Sequence, residues 1–130
     1  MTEALIRRQF AALMGNSIPV PGLMTIQAPV FHCEAFSMFV RISETPTPEE
    51  IRECLVDSQG NINVNVDPED APSPVSVIGS EAIHVGRIAA DPQDPAVFGF
   101  WLTADNLRIA AANALSIAEQ IMLAEIPRKI

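Results

Sequence analysis

The chain has 130 residues, 48% hydrophobic and 18% charged, a globular composition long enough for one domain with a core and unlike that of a disordered chain. Its net charge of −8 argues against nucleic acid and anionic membrane surfaces as partners. Cys33 and Cys54, without CxxC spacing, form no disulfide framework, no run reads as long enough to span a bilayer, and no signal-type apolar region follows Met1, so a reduced, cytoplasmic protein is expected.

From Glu3 to Leu13 the apolar residues Leu5, Ile6, Phe10 and Leu13 recur at helical spacing, with Thr2 placed to cap and Gly15-Asn16 to end the helix. Pro19 and Pro21-Gly22 mark a turn or extended linker. Leu23 to Phe31 reads as a strand, and Pro29 suggests an edge or bulge there. Ala35 to Ile42 reads as a second strand, with Phe36, Met38, Val40 and Ile42 on one face. Thr47-Pro48-Glu49-Glu50 is a strong helix start, with a cap, a proline at the first helical position and a glutamate at the third. That helix is expected to run to about Asp57, with Ile51 and Leu55 on one face and Cys54 as a small packed residue.

Gly60 to Val66 alternates as a short strand, Asp67 to Pro74 reads as a loop, and Val75 to Ile78 as another short strand. Ala82 to Ala90 is a clearer strand, with Ile83, Val85 and Arg87 on one face and His84, Gly86 and Ile88 on the other, His84 being solvated. Asp91 to Pro95 is a turn, Val97 to Thr103 the most apolar and central strand, and Asp105 to about Glu125 the longest helix. The predicted fold class is α+β: about five strands in a mixed or mostly antiparallel sheet with helices packed on one face. Low charge beside high apolar content implies apolar surface that faces a partner.

The run Ala104-Asp105-Asn106-Leu107-Arg108, placed between an apolar strand and an Ala-rich helix, resembles the C-terminal end of the aspartate-semialdehyde dehydrogenase family. The resemblance extends to Gln27-Ala28-Pro29-Val30-Phe31, to Thr45–Leu55, to Pro72-Ser73-Pro74, to Val85-Gly86-Arg87-Ile88 and to Ile117-Ala118-Glu119. It implies the substrate-binding and dimerisation domain of that family, with residues 1–130 as a single such domain and the N-terminal nucleotide-binding domain absent. The family reaction is the NADPH-dependent reduction of β-aspartyl phosphate to aspartate semialdehyde. It uses a Gly-rich cofactor turn, a cysteine nucleophile, a histidine acid/base and an arginine for the substrate carboxylate.

Neither the Gly-rich turn nor the Asn-Cys nucleophile motif is present in this sequence. The family's arginine aligns with Gln27, which lacks the charge for a bidentate carboxylate pair and places the chain near the usg-type paralogues. An ungapped alignment sets Glu34 at the family's acid/base histidine, and a gapped one sets His32 there. Arg87 matches the Val-Gly-Arg arginine, either as a surface ion-pair residue or as a retained substrate contact. Asn106 and Leu107 match positions beside the nicotinamide, and equally suit a helix cap and a first core contact. In an extended segment Cys33 points away from His32 and Glu34, which excludes a Cys–His pair from these neighbours. No metal site is expected from His32, Glu34 and His84.

The reading is therefore a domain that binds no cofactor alone, although the family uses NADP, and that forms a C2 homodimer through the sheet face around Val97–Leu102. The alternatives are a subunit of a split dehydrogenase, acting with a separate nucleotide-binding chain, and a non-enzymatic small-molecule binding or regulatory module.

Overall fold

The computed structural model describes residues 3–15, 17–56, 60–65, 67 and 71–125. In chain order the elements are α1 (Glu3–Met14), β1 (Glu34–Arg41), α2 (Pro48–Leu55), β2 (Ile62–Val64), β3 (Ile83–Ala90), β4 (Val97–Ala104) and α3 (Asn106–Glu125). The strands form one mixed sheet in the order β1-β4-β3-β2, antiparallel except for the β2–β3 pair. This is the expected α+β class, with four strands among the described residues where about five were expected.

β4 is the central strand, and its alternation sets both faces of the sheet. Phe98, Phe100 and Leu102 point to one side, where Phe98 is 1% exposed and packs with Val85, Ile88, Phe100 and Ile51. The register places Val40 opposite Phe98 and Val85 opposite Leu102, so β1 and β3 add to the same face. α2 closes it with Ile51 and Leu55, one turn apart. Its start is the predicted capping box: Thr47 Oγ1 accepts from the Glu50 N–H, and the Glu50 carboxylate accepts from the Thr47 N–H. The helix ends at Leu55, and Asp57 lies outside the described residues. Cys54 is exposed rather than packed, because it faces away from the Ile51–Leu55 stripe.

The expected alternation in β3 fails beyond Gly86. A bulge between Gly86 and Ala89 puts Arg87 at φ +50°, so Ile88 joins Val85 in the core and Arg87 is left exposed. On the opposite side of the sheet, Trp101 donates from Nε1 to the Pro72 carbonyl at 2.7 Å. Pro72 lies so close over Gly86 that a Cβ there would be 2.6 Å from its Cδ. The expected strand at Val75–Ile78 is a succession of turns. Ser73 and Ser76 exchange hydrogen bonds across the first of them, Ser80 N–H reaches the Val77 carbonyl, and Gly79 takes φ +83°. Val77 is thereby buried as the anchor of the loop.

Leu23–Phe31 is irregular and, among the described residues, pairs with no strand, contrary to expectation. Its β-branched and apolar residues favour a pleated, half-buried surface, and no strand lies alongside to supply one. Met24, Ile26 and Phe31 are exposed, and the segment is tied instead to α1, where Glu3 accepts from the Thr25 N–H at 2.7 Å. α1 itself has Leu5, Ile6 and Phe10 partly covered and Leu13 exposed, while Gly15 ends it at φ +57°; Thr2 and Asn16 lie outside the described residues. β2 is Ile62–Val64, and Val66 also lies outside them.

α3 departs from the picture of helices packed on one face. Beyond Ala112 its described side chains are exposed. Leu107, Ala111, Ala114, Leu115, Ala118, Ile121 and Met122 fall on one apolar stripe at helical spacing. The stretch Asn106–Ala124 is also long and apolar enough, by length and composition, to cross a membrane, which the sequence did not lead us to expect. Its alanines supply that apolarity, and Arg108 and Glu119 are its only charged residues.

Two substitutions test this packing. Phe98→Ala, which empties the centre of the core, is expected to cost about 3–5 kcal/mol in urea unfolding. Gly86→Ala, which forces Pro72 off the sheet, is expected to cost about 1–3 kcal/mol, whereas Gly22→Ala, with open space around it, leaves the urea midpoint nearly unchanged.

Candidate functional site

The site lies at the end of the sheet where β4 passes into α3. Asp105 occupies the junction, 2% exposed. Its Oδ1 accepts from the Leu107 and Arg108 N–H groups, each at 3.1 Å, so Asp105 is the N-cap and α3 begins at Asn106. Its Oδ2 accepts from the Gly79 N–H at 2.9 Å and lies 3.8 Å from His32 Nε2. The Gly79 hydrogen bond is the largest of the effects that hold the carboxyl below its ordinary range. The Arg108 and Leu107 N–H groups and the nearby His32 work in the same direction, against the opposing effect of burial.

Pro29, Phe31 and His32 are bends, residues 29–33 form no strand, and β1 starts only at Glu34. Cys33 sits at φ +77°, a left-handed conformation rare for a residue with a side chain. That turn removes the assumption of opposite faces. One donor atom each from His32, Cys33 and Asp105 lie within 4.8 Å of one another. The turn at Cys33 leaves no signal in the periodicity, so the sequence alone does not set Asp105 beside His32 and Cys33. Burial, reinforced by the charge of Asp105, pushes the Cys33 thiol up, so it is not an activated nucleophile.

Asn106 joins the two segments. Its Oδ1 accepts from the Cys33 N–H at 3.2 Å, and its Nδ2 donates to Glu34 Oε1 at 3.3 Å. Thr103, fully buried, donates from Oγ1 to the Glu34 carbonyl at 3.1 Å. Glu34, Phe36, Leu102, Ile109, Ala110 and Asn113 line a shallow, mainly apolar groove of about 420 Å³ beside this cluster. A wider depression of about 620 Å³ between Glu44, Glu50, Glu53 and Cys54 lies elsewhere on the surface.

The structure thus gathers His32, Glu34 and Asn106 around Asp105, and leaves the other sequence candidates outside. Gln27 is exposed on the unpaired segment, Arg87 stands on the β3 bulge, and Leu107 is 64% exposed rather than a core contact. Among the described residues no ion pair holds Arg87. His84 is only partly solvated: its Nε2 lies 2.8 Å from Ser80 Oγ, and partial burial lowers its pKa.

A mixed sheet with a core on one face continues into a helix whose apolar stripe meets no partner among the described residues, an α+β architecture. Residues 13–109 match the model of the family "Semialdehyde dehydrogenase, dimerisation domain", and the chain belongs to that family. It is 30% identical over 122 residues to the aspartate-semialdehyde dehydrogenase of Rickettsia bellii, covering 92% of this chain and 36% of that protein. It is 32% identical over 125 residues to a USG-1 protein homolog of Pseudomonas aeruginosa, with 92% and 37% covered. Among solved structures, a probable aspartate-semialdehyde dehydrogenase from Pseudomonas aeruginosa superposes with a TM-score of 0.63 at 28% identity over 74% of this chain and 29% of that one. The chain therefore spans about a third of the length of these relatives.

The titrations give a signed test. His84 has a lowered folded pKa, so the stability linked to its neutral form is present above its unfolded value of 6.5 and falls away as pH drops below it. Asp105 is also lowered, so its contribution is present above 3.8 and is lost at lower pH, as the pH falls through its folded value. Urea midpoints followed against pH are expected to decline in two stages. His84→Gln removes the upper stage and Asp105→Asn the lower, the latter at a cost in stability at neutral pH from the weakened cap.

Proposed function

We propose that this chain acts as the dimerisation and substrate-side domain of an aspartate-semialdehyde dehydrogenase-like protein, assembling as a C2 homodimer and not reducing substrate alone. The observation that carries this reading is the apolar surface left open on the domain. β1 is an edge strand with Phe36, Met38 and Phe39 exposed, Phe39 71% so, and α3 presents its apolar stripe to solvent. A monomer in water has no use for such a surface, and a second copy of the same patch covers it by symmetry. Phe39 packs against Gly99, which places it on the same sheet face as Val97 and Trp101. Trp101 is partly covered by the Pro72 loop, so the open part of that face lies nearer Phe39.

The residues present do not suit a dinucleotide. Asn106 uses both ends of its amide on Cys33 and Glu34, the Leu107 side chain is exposed, and the sequence has no Gly-rich turn. In the family reaction the bound NADP would supply hydride; this chain's residues hold the polar cluster at the sheet end and carry the association surface. Gln27 and Arg87 are the substrate contacts retained in this reading, and Glu34 or His32 stands at the acid/base position. Glu34 hydrogen-bonds Asn106, and His32 leans toward Asp105.

Light scattering is expected to give 28.2 kDa, twice the 14.1 kDa of one chain. Phe39→Glu and Leu115→Glu, both at exposed positions, are expected to weaken the dimer by about tenfold or more while leaving the fold intact. A monomeric parent chain rejects the dimerisation reading. Calorimetric binding of NADPH by the parent chain moves the split-dehydrogenase reading ahead.

A further inference from the structure

We propose that His32, Cys33 and Asp105 form a binding site for a borderline-soft divalent cation of the zinc type. The inference is independent of the dimerisation reading. One nitrogen, one sulfur and one oxygen from segments remote in sequence converge within 4.8 Å, with His32 Nε2 3.8 Å from Asp105 Oδ2. A tetrahedral cation with bonds of about 2.0–2.3 Å holds its ligand atoms about 3.3–3.8 Å apart. Side-chain rotations that draw the three together by about 1 Å complete that geometry. A set of thiolate, imidazole and carboxylate selects zinc-like ions over calcium or magnesium, which prefer all-oxygen shells.

The surroundings support the donors. Gly79 N–H fixes Asp105 Oδ2, the oxygen nearest His32, and the Leu107 and Arg108 N–H groups fix Oδ1. Asn106 Oδ1 holds the Cys33 N–H, and with it the left-handed turn that brings Cys33 beside His32. Cys33 and Asp105 are buried, whereas the His32 side chain is 34% exposed. The two anions balance a dication inside the fold, and water reaches the fourth position from the His32 side. The positive end of α3 opposes a cation here, and the thiolate bond offsets it. Binding forms an S–metal bond and releases the Cys33 thiol proton to buffer, one per cation, so affinity falls as pH is lowered.

The test uses the full 130-residue chain carrying Cys54→Ser, which removes the exposed competing thiol. Co²⁺ is titrated under a non-thiol reductant and then displaced by Zn²⁺. One equivalent of Co²⁺ is expected to give a thiolate-to-cobalt charge-transfer band with visible bands of tetrahedral intensity, and Zn²⁺ to remove both. Adding Cys33→Ser is expected to abolish the charge-transfer band, and His32→Ala to weaken Zn²⁺ binding by about tenfold or more. His32→Ala also decides the matter if Cys33→Ser fails to fold, because His32 is partly exposed. Absence of the band in the parent chain overturns the proposal. So does unchanged Zn²⁺ affinity in His32→Ala.

Discussion

Asp105 is the residue on which the sheet end is built. A buried carboxylate must have its charge met by donors, and here three backbone N–H groups meet it: two from the first turn of α3 and one from Gly79 in the loop over the sheet. Because those donors belong to different segments, one side chain fixes where β4 stops, how α3 departs and where the 71–80 loop lies. Thr103, two residues earlier, ties the same point to the start of β1 through the Glu34 carbonyl. The cluster of His32, Cys33, Glu34 and Asn106 exists because this junction is rigid.

The sheet carries its core on one face, with Phe36 and Met38 of β1 still exposed beside it, and its other face is only partly covered. Phe98 and its neighbours are sealed by α2, whereas the opposite face is roofed by the Pro72 loop only near Trp101 and Gly86. Full burial of one large apolar side chain contributes about 1.5–3 kcal/mol. Association costs about 4–15 kcal/mol in lost freedom. Phe39 on the open sheet face and Leu115, Ile121 and Met122 of α3 are each counted twice in a symmetric pair, so burying them contributes an amount comparable with that cost.

Local chemistry was the legible part of the sequence. Thr47-Pro48-Glu49-Glu50 carries its capping box in four residues, and the alternation of Phe98, Phe100 and Leu102 needs no knowledge of what lies opposite. What depended on tertiary partners was not legible. Leu23–Phe31 has strand composition, but a strand exists only where another strand offers its N–H and C=O groups. The β3 alternation held as far as Gly86, and a bulge that re-aims Ile88 toward the core cannot be read from residue types in which Arg87 gives no hint of φ +50°. Val75–Ile78 was drawn into turns by paired serines whose mutual bonds outweigh its apolar character. The site was half legible: Asp105 and Asn106 were visible as a helix start, but their reach to His32, Cys33 and Glu34 required the left-handed turn at Cys33.

That turn also bears on the two alignments of the acid/base position. An acid/base group needs a free side chain aimed at the reacting atom. Glu34 begins β1 and accepts a hydrogen bond from Asn106, so its carboxylate is engaged within the chain. His32 lies before the turn, directed to a carboxylate held by three N–H donors. With glutamine at position 27, a carboxylate substrate finds no bidentate cation on that segment either. The polar groups at the sheet end therefore engage one another: Asn106 bridges Cys33 and Glu34, and His32 leans toward Asp105.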